Sequence, residues 1–194
     1  MITDMTKGSP FRMFIRFVIP LMFSMVFQQM YNIEDSVVAG RFLGVSALAT
    51  TGAAYPITVL FVAIATGSSI GCSVVIARLF GSGHHTRMRL AVHTAVITLT
   101  MLALFLTAVG EWLCRPLMEM IHTPENIFDP TMVYLRIYIA GLLFLFLYNT
   151  ATAVFNGLED SRTPLYFLIF STTLNVVLDV FFVTSLGMGI DGVA

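Results

Sequence analysis

The sequence predicts an all-α integral membrane protein, a polytopic helical bundle, and three observations predict it. Only 11% of the 194 residues are charged. An average soluble protein carries roughly a quarter, so this chain has too few charges to cover a water-facing surface. It is 57% hydrophobic, with a mean hydropathy of +0.88. The apolar residues collect in runs that reach the roughly 20 residues a spanning helix needs, far beyond the roughly ten alternating residues of a barrel strand.

Five complete spanning segments and the start of a sixth are expected. The first covers residues 14–39 and contains "FVIPLMFSMVFQQMY" at residues 17–31. That run is too long for the apolar region of a secretory signal and carries polar residues in its second half, so the N-terminus is expected to remain in the mature chain. The second covers 47–80, long enough to tilt or to project beyond the bilayer. Gly67 and Gly71 within it form a GxxxG pair, the usual pattern for close helix approach. Pro20 and Pro56 lie inside spans and are expected to kink them. The turn "GSGHHTRMR" leads to the third segment, 90–113. The polar stretch "EMIHTPENIFDP" leads to the fourth, 132–155, and "NGLEDSRTP" to the fifth, 165–186. "GMGIDGVA" reads as a turn opening into a sixth helix at about 190–194.

Basic residues set the orientation. With the N-terminus in the cytoplasm, Lys7, Arg12, Arg16, Arg78, Arg87, Arg89 and Arg162 fall inside, and Arg41, Arg115 and Arg136 fall outside. The net charge of -1 and the lack of a basic stripe argue against a nucleic-acid partner. Two cysteines, Cys72 and Cys114, imply no disulfide framework. His84 and His85 sit in a basic turn with too few neighbouring ligands for a metal.

The informative residues are the polar ones inside the spans. Gln28, Asn32 and Asp35 fall at i, i+4 and i+7, one face of a helix. A charge near the bilayer centre costs roughly 2.5–3.5 kcal/mol on insertion scales, so such a stripe points to a wet cavity. The competing reading ends the helix near Asn32 and solvates both Glu34 and Asp35; it suits Glu34 better than Asp35. In the fifth segment Asn175 and Asp179 stand four apart, with Thr172 three before them, and Asp179 is flanked by apolar residues. A carboxylate, an amide oxygen and a hydroxyl form a hard oxygen set, suited to a small cation or to a proton on a carboxylate of raised pKa. The structural alternative is an interhelical hydrogen-bond clasp.

Signatures of enzymes are missing: there is no GxSxG, HExxH, Walker loop or Gly-rich nucleotide fingerprint. Without a nucleotide site, any pumping must draw on an ion gradient. No cofactor is expected, apart from a sodium ion at Asn175 and Asp179.

"TKGSP" before the first helix, "FQQMYNIEDSVVAGRFLG" at its end, "TTGAAYP" opening the second, "LEDSRTP" before the fifth and "LNVVLDVFFV" within it resemble the multidrug and toxic compound extrusion (MATE) family. The resemblance implies an N-terminal six-helix lobe of a twelve-helix, two-lobed transporter, cut off as the sixth helix begins. It also implies a cation-coupled (Na+ or H+) multidrug efflux antiporter of the cell's inner membrane, exporting cationic and amphipathic compounds by alternating access. By position, Asp35, Asn175 and Asp179 match the family's coupling residues, and Gln28, Asn32 and Thr172 would line the cavity. Glu34 departs from the pattern. The partners implied are small cationic or amphipathic molecules, the lipid bilayer and a C-terminal lobe. The other readings are a lipid-linked oligosaccharide flippase, which would need a more basic cavity, and an orphan half that transports nothing.

Overall fold

In the computed structural model, residues 10–189 and residue 192 are described; within the first helix the side chains of residues 10, 12, 13, 31, 32, 34 and 35 lie outside the described set. The onset expected for a sixth spanning helix also lies outside it, apart from residue 192. The described chain is helical throughout. α1 is Pro10–Val38, α2 Val45–Gly81, α3 His85–Met120, α4 Glu125–Ala140, α5 Leu142–Gly157 and α6 Arg162–Thr184. Among the described residues, α2, α3 and α6 are each long and apolar enough to cross a membrane. The α4–α5 pair qualifies as a fourth, bent span, and α1 contributes the apolar stretch Phe14–Met30.

Two helices differ plainly from the expected segments. The third does not stop at 113: α3 continues to Met120 and carries Pro116 inside it. The fourth, expected as a single helix over 132–155, is two helices bent by 45° at Gly141. α4 already begins at Glu125, inside the polar stretch, because Pro124 presets the entry and Glu125 suits the positive end of the helix dipole. At Gly141 the hydrogen-bond ladder tightens. Its N–H is shared between the carbonyls of Ile137 and Tyr138, and Phe144 N–H returns to Gly141 at 3.0 Å. One glycine inside "IYIAGLLFLF" costs a helix only about 1 kcal/mol, too little to mark a break from sequence.

Helix ends follow one scheme. After α2, α3 and α5 the chain closes with paired reverse bonds, such as His84 N–H to the Leu79 carbonyl and Asp160 N–H to the Phe155 carbonyl. The motif requires one left-handed residue. Gly83 supplies it after α2 at φ 73°; His122 and Glu159 supply it after α3 and α5 at φ 56° and 64°.

α2, α3, α4 and α5 form the core. Ala54, Ile57 and Phe61 of α2 pack with Cys114 and Met118 of α3, Leu135 and Ile139 of α4 and Leu142 of α5. Further along α2, α3 and α5, Ala65, Leu99, Ala103 and Phe146 close a second cluster. The faces turned away stay apolar too: Val59, Leu60, Ile70 and Val74 of α2 are exposed. Lipid is as apolar as the core, so no polar stripe is needed outside. The close approach expected of Gly67 and Gly71 is not found; both are exposed and a Cβ on either would meet no atom within 4 Å. Close approach occurs at Gly110, against Phe61 and Ile139, and at Gly157, against Ile76 and the Ser73 carbonyl. Cys114 is buried and Cys72 half-buried, and both are free thiols.

α1 and α6 form a pair beside this core. Ser161 Oγ donates to the Phe17 carbonyl at 3.0 Å near one end, and Val38 meets Val183 at the other. The two helices are therefore parallel.

Candidate functional site

α6 reaches its place through its own N-terminal turn. Asp160 Oδ1 accepts the backbone N–H groups of Arg162 and Thr163, at 3.1 and 3.2 Å, and Thr163 Oγ1 donates to Asp160 Oδ2 at 2.7 Å. Burial pushes the Asp160 carboxyl up, but the hydrogen bonds from the Thr163 side chain and the two backbone groups outweigh it and hold the carboxyl below its ordinary value. Ser161 then ties the start of α6 to α1. Neither residue was singled out from sequence, although an Asp three residues before a Thr at a helix start is a capping pattern.

From this anchored start, the buried face of α6 is read by helical spacing. Leu168, Asp179 and Val183 are buried on it. Thr172 and Asn175 fall between them at the same spacing and are half-buried. Thr173 and Thr184, by contrast, are exposed and return their hydroxyls to carbonyls of their own helix. The polar trio expected from spacing thus lies along the face that packs inward. Asp179 is only 4% exposed. Asn175 Oδ1 is enclosed and has no hydrogen-bond partner among the described residues.

The parallel pairing sets the levels along α1. From the Phe17–Ser161 contact to the Val38–Val183 contact both helices advance about 32 Å, at 1.5 Å per residue. Thr172 therefore stands at the level of Gln28, and Asp179 at the level of residues 34–35. Gln28 is exposed. The side chains of Asn32, Glu34 and Asp35 lie outside the described residues, while their backbone belongs to α1. Immediately beyond, Ala39–Leu43 form a π-helical turn that ends at Gly44, with φ 89°. Such turns are rare and concentrate at functional sites. Nothing in "AGRFL" announces one from sequence.

A carboxylate, an amide oxygen and a hydroxyl on one inward face can take up a hard cation or a proton. The enclosed Asn175 Oδ1 fits this chemistry, because a buried acceptor is costly until something donates to it or binds it. Among the described residues no three His, Cys, Asp or Glu side chains cluster as transition-metal ligands would.

Comparison with known proteins shows the family. The MatE family model matches residues 20–181. The probable multidrug resistance protein YoeA of Bacillus subtilis is 31% identical over 173 residues, covering 89% of this chain and 37% of that protein. YpnP of the same organism, also named a probable multidrug resistance protein, is 30% identical, covering 98% and 43%. An FAD transporter of Shewanella oneidensis is 26% identical over 75% of this chain. Among solved structures, a MOP superfamily transporter from Pyrococcus furiosus superposes with a TM-score of 0.91 at 25% identity, over 98% of this chain and 42% of that one. A MATE structure in the bent conformation gives 0.90 at 26%, over 96% and 42%. The chain spans about two fifths of the length of these relatives, the share of one lobe. A match that runs from α1 into α6, on the fold these structures share, places the chain in the MatE family.

Proposed function

We propose that this chain is the N-terminal lobe of a cation-coupled multidrug efflux antiporter that exports cationic and amphipathic compounds by alternating access. The observation that carries the proposal is Asp179, a carboxylate 4% exposed on a membrane-spanning helix, with Asn175 one turn before it. Such a group in a span is a functional site by default. In this reading Asp35, whose backbone stands level with Asp179, would complete the coupling set, and Gln28, Asn32 and Thr172 would line the cavity. A sodium ion or a proton bound here favours one arrangement of the α1–α6 pair, and cargo bound in the cavity favours the other. The two are coupled only because each binds the two arrangements with different affinity.

The acidic character of the face favours cationic cargo over the anionic cargo of a lipid-linked oligosaccharide flippase. The names of the Bacillus subtilis relatives support drug export. Their length, more than twice this chain, supports a partner lobe rather than an orphan half. The seven-to-three split of basic residues supports a cytoplasmic N-terminus in the cell membrane.

The test is efflux of ethidium from vesicles of cells expressing the gene, under imposed sodium or proton gradients. Asp179→Asn keeps the shape and removes the charge. It is expected to insert normally and to lose gradient-driven export, and Asp35→Asn is expected to do the same. Export by Asp179→Asn at the native rate would overturn the assignment.

A further inference from the structure

A second feature shares no lining residue with the α1–α6 pair. Between α2 and α3 an open groove of about 700 Å³ is lined by Gly71, Cys72 and Leu79 on one side and Arg87, Ala91 and Thr98 on the other, among others. Its volume is within the range of small-molecule sites, roughly 300–1,000 Å³. Small residues make the groove: Gly71 and Ala91 leave room that larger side chains would fill. Its walls are almost wholly apolar, and it lies between two helices long and apolar enough to span a membrane.

Length and charge say what fits. The lining runs from Ser68 to Leu79 on α2 and from Arg87 to Thr98 on α3. At 1.5 Å per residue each wall is about 16 Å long, about the depth of one leaflet of a roughly 30 Å hydrocarbon core. The end at the α2–α3 turn carries Arg87, with Arg78 and Arg89 close by in sequence. There is no Asp or Glu between residues 36 and 110, and Arg87 has no carboxylate partner among the described residues. An apolar slot one leaflet deep, with a cation at the headgroup level, is complementary to one kind of occupant.

We infer that the α2–α3 groove binds an anionic phospholipid, an acyl chain lying along Gly71, Cys72 and Ala91 and the headgroup phosphate pairing with Arg87. Arginine suits the phosphate because its planar fork donates two parallel hydrogen bonds.

Native mass spectrometry of the purified protein, released from nanodiscs of phosphatidylglycerol mixed with phosphatidylcholine, tests this directly. The expected result is retention of phosphatidylglycerol in preference to phosphatidylcholine. Arg87→Gln should lower that preference about tenfold, the worth of a charge-assisted hydrogen bond. Gly71→Leu should lower retention of both lipids, and it should fold, since a Cβ at Gly71 meets nothing within 4 Å. Equal retention of the two lipids by the native protein would overturn the inference. So would an unchanged preference in Arg87→Gln, unchanged retention in Gly71→Leu, or a second copy of the chain seated in the groove instead of lipid.

Discussion

At Gly157 α5 comes up against α2, and replacing it with alanine tests how the core is closed. A Cβ placed there would lie 2.8 Å from Ile76 Cγ2, 2.9 Å from Ile76 Cβ and 3.1 Å from the Ser73 carbonyl oxygen. Two of these atoms cannot swing aside: Cβ is fixed to the α2 backbone, and the carbonyl is part of it. Carbon atoms settle at 3.5–4.0 Å, so the helices must separate by several tenths of an ångström. Overpacking of this kind costs about 1–3 kcal/mol. The higher helix propensity of alanine returns at most about 1 kcal/mol, and less at the last residue of a helix. A net loss of about 1–2 kcal/mol is expected for Gly157→Ala. Far-UV circular dichroism of reversible denaturant unfolding in detergent micelles measures it. Gly67→Ala, where the added methyl meets nothing, is the matched control and should be neutral or slightly stabilising. Ile76→Ala alone should destabilise, because Ile76 is 1% exposed, but the double variant should lose less than the sum of the two. Native stability in Gly157→Ala, or an equal loss in Gly67→Ala, would refute the packing argument.

Asp160→Asn should destabilise by about 1 kcal/mol, because the hydrogen bonds at the start of α6 lose the carboxylate charge that strengthens them, and the deficit should depend on pH. The folded carboxyl sits below its ordinary value. Its contribution is thus full above the unfolded pKa of about 3.9 and fades as pH falls through the lower folded value, so unfolding curves of variant and native protein should converge in acid. His122→Gly should stabilise by about 1 kcal/mol, because His122 holds φ 56° where glycine pays no steric penalty; denaturant midpoints read the change. Asn175→Leu should leave insertion intact and raise the cation concentration needed for half-maximal dye export, and an unchanged cation dependence would remove Asn175 from the site.

The composition and the long apolar runs were enough for the membrane class, and the spacing of polar residues was enough to put Thr172, Asn175 and Asp179 on one face of a helix. The physical reason is that the bilayer makes long apolar runs and isolated polar residues costly to place anywhere else, so both carry meaning without tertiary context. Asp179 among "LNVVLDVFFV" is legible for that reason; the exposed Gln28 is less so, because a polar residue on a helix flank has many explanations. The packing was not legible. The pair Gly67 and Gly71 matched the GxxxG pattern for close approach and meets no other helix within 4 Å, while Gly110 and Gly157, which belong to no GxxxG pair, are where helices meet. A glycine's meaning depends on which helix stands opposite, and opposition is a property of the assembled bundle. The bend at Gly141, the π-helical turn at Ala39–Leu43 and the strap from Ser161 to Phe17 are of the same kind. Each turns on about 1 kcal/mol of local preference, which partners distant in the chain override. Sequence determined which residues must be sheltered from lipid; only the tertiary structure decided what shelters them, because in a membrane the apolar surface is alike on every side and shape alone selects the neighbour.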